Sequence, residues 1–148
     1  MTKLVDMILK DGVRERVISD LDKLIDAEVG DRKGVTGLAI KGGYKFVKTI
    51  KKDFVRDALQ GLLPDFVIAL DKFYGEHGSP KGFDAFMMTN KSRVADGMLS
   101  VTDTRRDRTS NAAIKKAYDK LRPLAKSNVE QAIPRLSVLI QKHIDSLV

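Results

Sequence analysis

A chain of 148 residues with 43% hydrophobic and 32% charged content has the size of one ordinary domain, able to bury roughly 70% of the surface its unfolded form exposes. Its lack of cysteine excludes thiol catalysis, disulfide staples and Cys-ligated zinc or iron–sulfur sites. The formal charge of +7 is uneven: residues 1–30 carry −2, 31–60 +5, 61–90 −2, 91–120 +4 and 121–148 +2.

The N-terminal stretch MTKLVDMILKDGVRERV breaks its apolar residues with Asp6, Lys10 and Asp11, so no signal-peptide core is expected, and nothing approaches a membrane-spanning run. The default expectation is a cytoplasmic location. Apolar residues recur at helical spacing almost throughout, and no segment alternates with a strand's period of two. The expected fold is all-α, a single-domain bundle of about eight helices over 1–148.

In chain order, Asp11 is expected to cap a helix carrying Val13, Val17, Leu21, Leu24 and Ile25, ended by Gly30. A second helix is expected from about Val35 to Lys51. Asp53 then reads as the cap of a short helix through Leu63, and Pro64 as the first turn of the next, which Gly75 ends. GEHGSPKG, 75–82, is the clearest loop. Beyond it the pattern gives a short apolar turn FDAFMMT and helices over about Lys91–Thr104, Ser110–Leu121, Lys126–Ile133 and Pro134 to the end.

AIKGGYK at 39–45 returns as AIKKAYDK at 113–120. Around this echo Val17, Leu21, Leu24 and Asp26 align with Val94, Met98, Val101 and Asp103, Tyr44 with Tyr118, and Pro64 with Pro134. The offset contracts along the chain, as loops shorten while helices persist. One reading is a duplicated four-helix unit, 12–75 and 91–147 joined by loop 75–82. Helix phase argues the other way: Ala39, Gly42, Phe46 and Ile50 centre one apolar face, whereas Ile114, Ala117, Tyr118 and Leu121 centre the other, rotated by roughly 60° at 100° per residue.

Lys41, Lys45, Lys48 and Lys52 fall on one stripe opposite Ala39, Phe46 and Ile50. Such a stripe can follow a polyanion, or simply be a solvated face. Gly42 and Gly43 within that helix each cost ~0.8–1.0 kcal/mol relative to alanine, which close helix packing would explain. Arg105, Arg106 and Arg108 are expected just before a helix capped by Thr109 or Ser110, an arrangement suited to an anion unless nearby aspartates pair with them. Asp31–Thr36 would be its weaker counterpart. His77 and His143 lack ligand spacing, so neither a metal site nor a His-activated nucleophile is indicated, and no cofactor is expected.

LIDAEVGDRKGVTGLAIKGGYKFVKTIK, LLPDFVIALDKFY, VTDTRRDRTSNAAIKKAYDKLRP and NVEQAIPRLSVLI, in this order, resemble a family of small uncharacterised bacterial helical proteins, a domain of unknown function. The resemblance implies a bacterial cytoplasmic origin and carries no activity or ligand with it. The residues themselves point to a non-enzymatic binding or interaction module with a basic face, whose partner is a protein or a polyanion. The alternatives are a sequence-independent nucleic-acid or anionic-surface binder, and an enzyme without a recognisable motif.

Overall fold

A computed structural model describes residues 1–148 and contains seven helices: α1 Leu4–Ile8, α2 Val13–Asp31, α3 Gly34–Ile50, α4 Phe54–His77, α5 Phe83–Thr89, α6 Lys91–Arg108 and α7 Ala112–Leu147. There are no strands. Seven replace the expected eight: helices expected to break near prolines are continuous, which merges two into α4 and three into α7, while α1 and α5 are helices that were not expected. Pro64 sits within α4, and Pro123 and Pro134 within the 36-residue α7. An interior proline frees the carbonyl four residues earlier. In α4 that carbonyl belongs to Gln60, and Arg14 of α2 donates to it from Nη2 at 3.0 Å, so tertiary structure supplies the bond that the proline removes. In α7 the packing against α5, α6 and α2 outweighs the local break.

Other boundaries move for equally local reasons. Gly12, not Asp11, caps α2, and its N–H donates to Glu15 Oε2 at 2.8 Å. Gly30 and Gly75 stay helical; α4 ends instead at Gly78, whose φ of 77° makes the left-handed turn. The loop therefore narrows to 78–82, and FDAFMMT is the helix α5. At the start of α7 the cap is Asn111, whose side chain accepts from the Ile114 N–H at 3.1 Å, in place of Thr109 or Ser110.

The core joins Leu4 and Ile8 of α1, Val13 and Val17 of α2, Leu63, Val67 and Leu70 of α4, Phe83 and Met87 of α5, Val94 of α6, and Ile133, Ile140 and Ile144 of α7. The short α1 and α5 are each held at their N-termini by a side chain from a long helix. Asp71 of α4 accepts from the Leu4 N–H at 2.8 Å, and Gln141 of α7 accepts from the Asp84 N–H at 3.1 Å. Tyr74 packs edge-on against Phe83, with centroids 5.1 Å apart and planes at 76°. Its buried hydroxyl has no hydrogen-bond partner.

Helices α4 and α7 make no close approach to each other, and α2 bridges them. Between these three helices lies a cavity of about 200 Å³ whose sixteen lining residues are all hydrophobic.

Candidate functional site

The two basic segments of the sequence meet at one end of the molecule. Residues 33–58 hold seven Lys and Arg against two Asp, and residues 102–122 hold seven against three. Together they carry +9, leaving −2 on the rest of the chain. In space they are α3 with the start of α4, and the last turns of α6 with the first turns of α7; α3 packs on α7 and α6 on α7.

The corner before α3 fixes how that helix is turned. Arg32 reaches α7, donating to Asn128 Oδ1 at 2.5 Å and to the Asn128 carbonyl at 2.9 Å, and pairs with buried Glu28 at 3.0 Å. Arg135 of α7 adds a second contact to Glu28 at 3.5 Å. Asp31–Thr36, expected as a minor anion site, is thus occupied by structural pairing. Gly37 then folds back so tightly that a Cβ there would lie 2.7 Å from the Arg32 carbonyl carbon.

With that rotation set, α3 turns Ile40, Gly43, Tyr44 and Val47 inward as half-buried residues. This corrects the expected inner face: Phe46 and Ile50 are 44% and 39% exposed, and Val35 and Leu38 beside them 86% and 73%. The inward set now has the spacing of Ile114, Ala117, Tyr118 and Leu121, which are also half-buried, so the 60° phase difference between the two echo segments disappears. Of the glycine pair, only Gly43 is a close approach, since its Cβ would lie 2.5 Å from Leu121 Cδ1, whereas Gly42 faces open space.

The lysine stripe flanks the uncovered apolar residues instead of opposing them. Lys41 and Lys45 are exposed. Lys48 lies 4.3 Å from the Tyr44 ring centroid and 3.5 Å from Asp26 of α2. Lys52 falls beyond the end of α3, and its neighbour Lys51 pairs with Asp57. Lys116 and Lys120 of α7 stand across from the apolar residues of α3 and not from its lysines. They line, with Ala113, Ala117 and Leu121, a groove of about 630 Å³ whose other wall is Leu38, Ala39, Gly42, Gly43 and Phe46. Sequence reasoning left these two lysines out, although the echo itself is the signal for them: its two copies form the opposite walls.

Arg105, Arg106 and Arg108 lie in the last turn of α6, which extends through them, with only 109–111 between them and α7. There they complement the negative end of the helix dipole. Arg106 is held bidentately by Asp119, at 2.9 and 2.6 Å. Arg105 runs over Gly61 and shares with Lys51, Phe54 and Ile114 a separate pocket of about 420 Å³; Arg108 is exposed. Arg105 and Arg106 therefore share a pocket with Lys51, while Lys48 turns toward α2.

Two matching polar clusters brace this end. The Tyr44 hydroxyl donates to Asp26, whose carboxylate also meets Lys48. The Tyr118 hydroxyl donates to Asp103, which Arg122 grips at 2.8 and 3.1 Å. Burial, and then the adjacent Asp103 carboxylate, push the Tyr118 phenol up to about 12. Burial and Asp26 raise Tyr44 in the same direction. The Arg122 hydrogen bond holds Asp103 below the usual carboxylate range.

Both histidines have ordinary partners. His143 Nε2 lies 2.8 Å from Asp20, which also receives Lys142 at 3.0 Å, and His77 meets the Lys81 carbonyl at 2.6 Å. No group of three or more His, Asp or Glu is placed to hold a metal ion. No helix is long and apolar enough to cross a membrane.

The fold defines an all-helical domain. The chain belongs to the Family of unknown function (DUF6918), whose model matches residues 4–144. No curated protein and no solved structure matches it.

Proposed function

We propose that the protein is a non-enzymatic binding module that docks on an anionic lipid surface through α3 and the groove beside it. The observation that carries this reading is the exposed apolar ridge Val35, Leu38, Phe46 and Ile50 on the helix that also bears Lys41 and Lys45, with Lys116 and Lys120 across the groove. A phosphate backbone is served by charge alone and leaves four large uncovered side chains without a role. A bilayer interface takes both: lysines meet anionic headgroups at about 1 kcal/mol each, and the apolar residues enter the headgroup–acyl boundary.

The test is sedimentation with phosphatidylglycerol vesicles, phosphatidylcholine vesicles and duplex DNA at physiological salt. Binding is expected to the anionic vesicles only. Changing Lys41, Lys45, Lys116 and Lys120 to Gln should weaken it about a thousandfold, the equivalent of ~4 kcal/mol, and the pair L38S and F46S should also release the protein. Equal binding of DNA, undiminished in the L38S and F46S variant, would replace this reading with sequence-independent polyanion binding. Failure to bind any of the three would leave the face to a protein partner.

We infer further that the domain is a duplicated helical unit, α1–α4 and α5–α7, with α7 standing for the fused third and fourth helices. Three sets of contacts support it: the Asp26–Tyr44–Lys48 and Asp103–Tyr118–Arg122 clusters, the caps by Asp71 and Gln141, and the buried pairs Leu63 and Ile133, Leu70 and Ile140. On this view the groove lies where the two copies of the same helix meet.

A further inference from the structure

The groove and the arginine pocket carry charged side chains in their walls, whereas the cavity between α2, α4 and α7 is lined by hydrophobic residues alone. It holds about 200 Å³, and no polar atom contributes to its wall. Water in such a space finds no hydrogen-bond partner in the wall, which favours an apolar occupant. The wall is not short of large residues: Leu21, Leu63, Phe66 and Leu136 line it. What keeps it open is the separation of α4 from α7, across which Leu63 and Ile133 belong to opposite walls without close approach of their backbones. A single larger residue at Ala132 or Val129 of α7 would reduce the volume, and the chain places small side chains at both.

The rim differs from the floor. Val17, Leu63, Val67 and Ile140 are buried, whereas Leu21, Leu24, Ile25, Phe66, Val129 and Leu136 are half-buried. A ligand can therefore reach the cavity past flexible aliphatic side chains without unfolding the core around it.

We propose that this cavity is a binding site for a hydrocarbon group about the size of an aromatic ring or the end of an acyl chain. The ligand replaces the missing contacts of the wall by dispersion and makes no hydrogen bond within it. Two sources have this chemistry: a small free hydrocarbon, and the tail of an amphiphile whose head stays outside the rim. The site is independent of the docking face on α3, none of whose residues lines it.

The experiment measures the thermal midpoint of the full chain with toluene and, separately, with decanoate, alongside A132L and V129F. For the wild type, saturating toluene should raise the midpoint by several °C, as expected for a ligand bound only by the folded state. A matching rise with decanoate identifies amphiphile tails as a source, and a rise with toluene alone restricts the site to free hydrocarbons. The A132L protein should melt higher than wild type without ligand and lose the response to both compounds; V129F should do the same if leucine at 132 fails to fold. The proposal is overturned if neither compound moves the wild-type midpoint, or if the filled variants respond as fully as the wild type. It also fails if both variants fold but melt lower, because then no free volume exists to fill.

Discussion

Every fully buried apolar side chain lies in α1, α2, α4, α5, α6 or the part of α7 from Ile133 onward, whereas α3 buries only Gly37 and residues 112–132 of α7 bury nothing completely. Both ends are helical and both are rich in apolar residues. They differ in how those residues are distributed around the helix. In α4 and the second half of α7 the apolar positions form one stripe directed at a common core. In α3 they spread over a wider arc, from Ile40, Gly43 and Val47 facing inward, past Ile50 and Phe46, to Val35 and Leu38, and a helix lying on a single layer cannot cover all of it. The end that holds the two basic segments is thus also the end whose hydrophobic surface is left over.

The sharpest way to break this comparison is to truncate one residue at each end. Ile140→Ala should cost about 2–5 kcal/mol, because it opens a further hole beside an existing one. Leu38→Ala should leave chemical denaturation within about 0.5 kcal/mol of wild type. A large loss from Leu38→Ala would mean that α3 is covered in solution.

Next in size is the corner that turns α3. Gly37→Ala forces a Cβ against the Arg32 carbonyl, where backbone and not a flexible side-chain tip must yield. It should destabilise by about 1–3 kcal/mol and raise amide hydrogen exchange in α3 ahead of the core. Uniform exchange across the whole chain would show the two ends unfolding as one unit.

The paired tyrosines test the same boundary through pH. All three tyrosines, 44, 74 and 118, are raised by burial. A phenol whose folded value lies above its unfolded value of about 10 adds stability that is complete below that value and is lost as pH rises through the folded one. For Tyr118 the window runs from about 10 to about 12. Tyrosinate absorbance should therefore appear late and together with helix loss. Tyr118→Phe should cost about 1 kcal/mol and Tyr44→Phe less, since its cluster is exposed.

The smallest effect has the opposite sign. Gly42→Ala meets nothing within 4 Å and should stabilise by about 0.8–1.0 kcal/mol through helix propensity. Gly43→Ala must displace the tip of Leu121 and should gain less or lose. Equal gains at both positions, read from thermal melts, would show that α3 does not pack on α7 at that point.

Much of the fold was legible because amphipathic periodicity survives in single segments. Val13 and Val17, or Leu63, Val67 and Leu70, declare their face without reference to anything distant. Glycine and proline misled the boundaries because their local cost is settled elsewhere: Arg14 answers for Pro64, and packing on α5 and α6 answers for Pro134. The lysines of α3 were visible, but Lys116 and Lys120 came to line a groove against α3 only when α7 was placed beside it. The arginines of 105–108 changed meaning outright once α6 extended through them, because a helix C-terminus favours their charge for structural reasons.

By itself the sequence determined an all-helical chain without cysteine chemistry, with two basic segments and an echo between them, because composition and periodicity are local properties. Only the tertiary structure decided which apolar residues of α3 turned inward and that the two echo segments face each other. Only it separated α4 from α7 far enough to leave a cavity. Those outcomes depend on the Arg32–Asn128 corner, the close seat of Gly43 on Leu121 and the bridging of α4 and α7 by α2, each joining residues far apart in the chain.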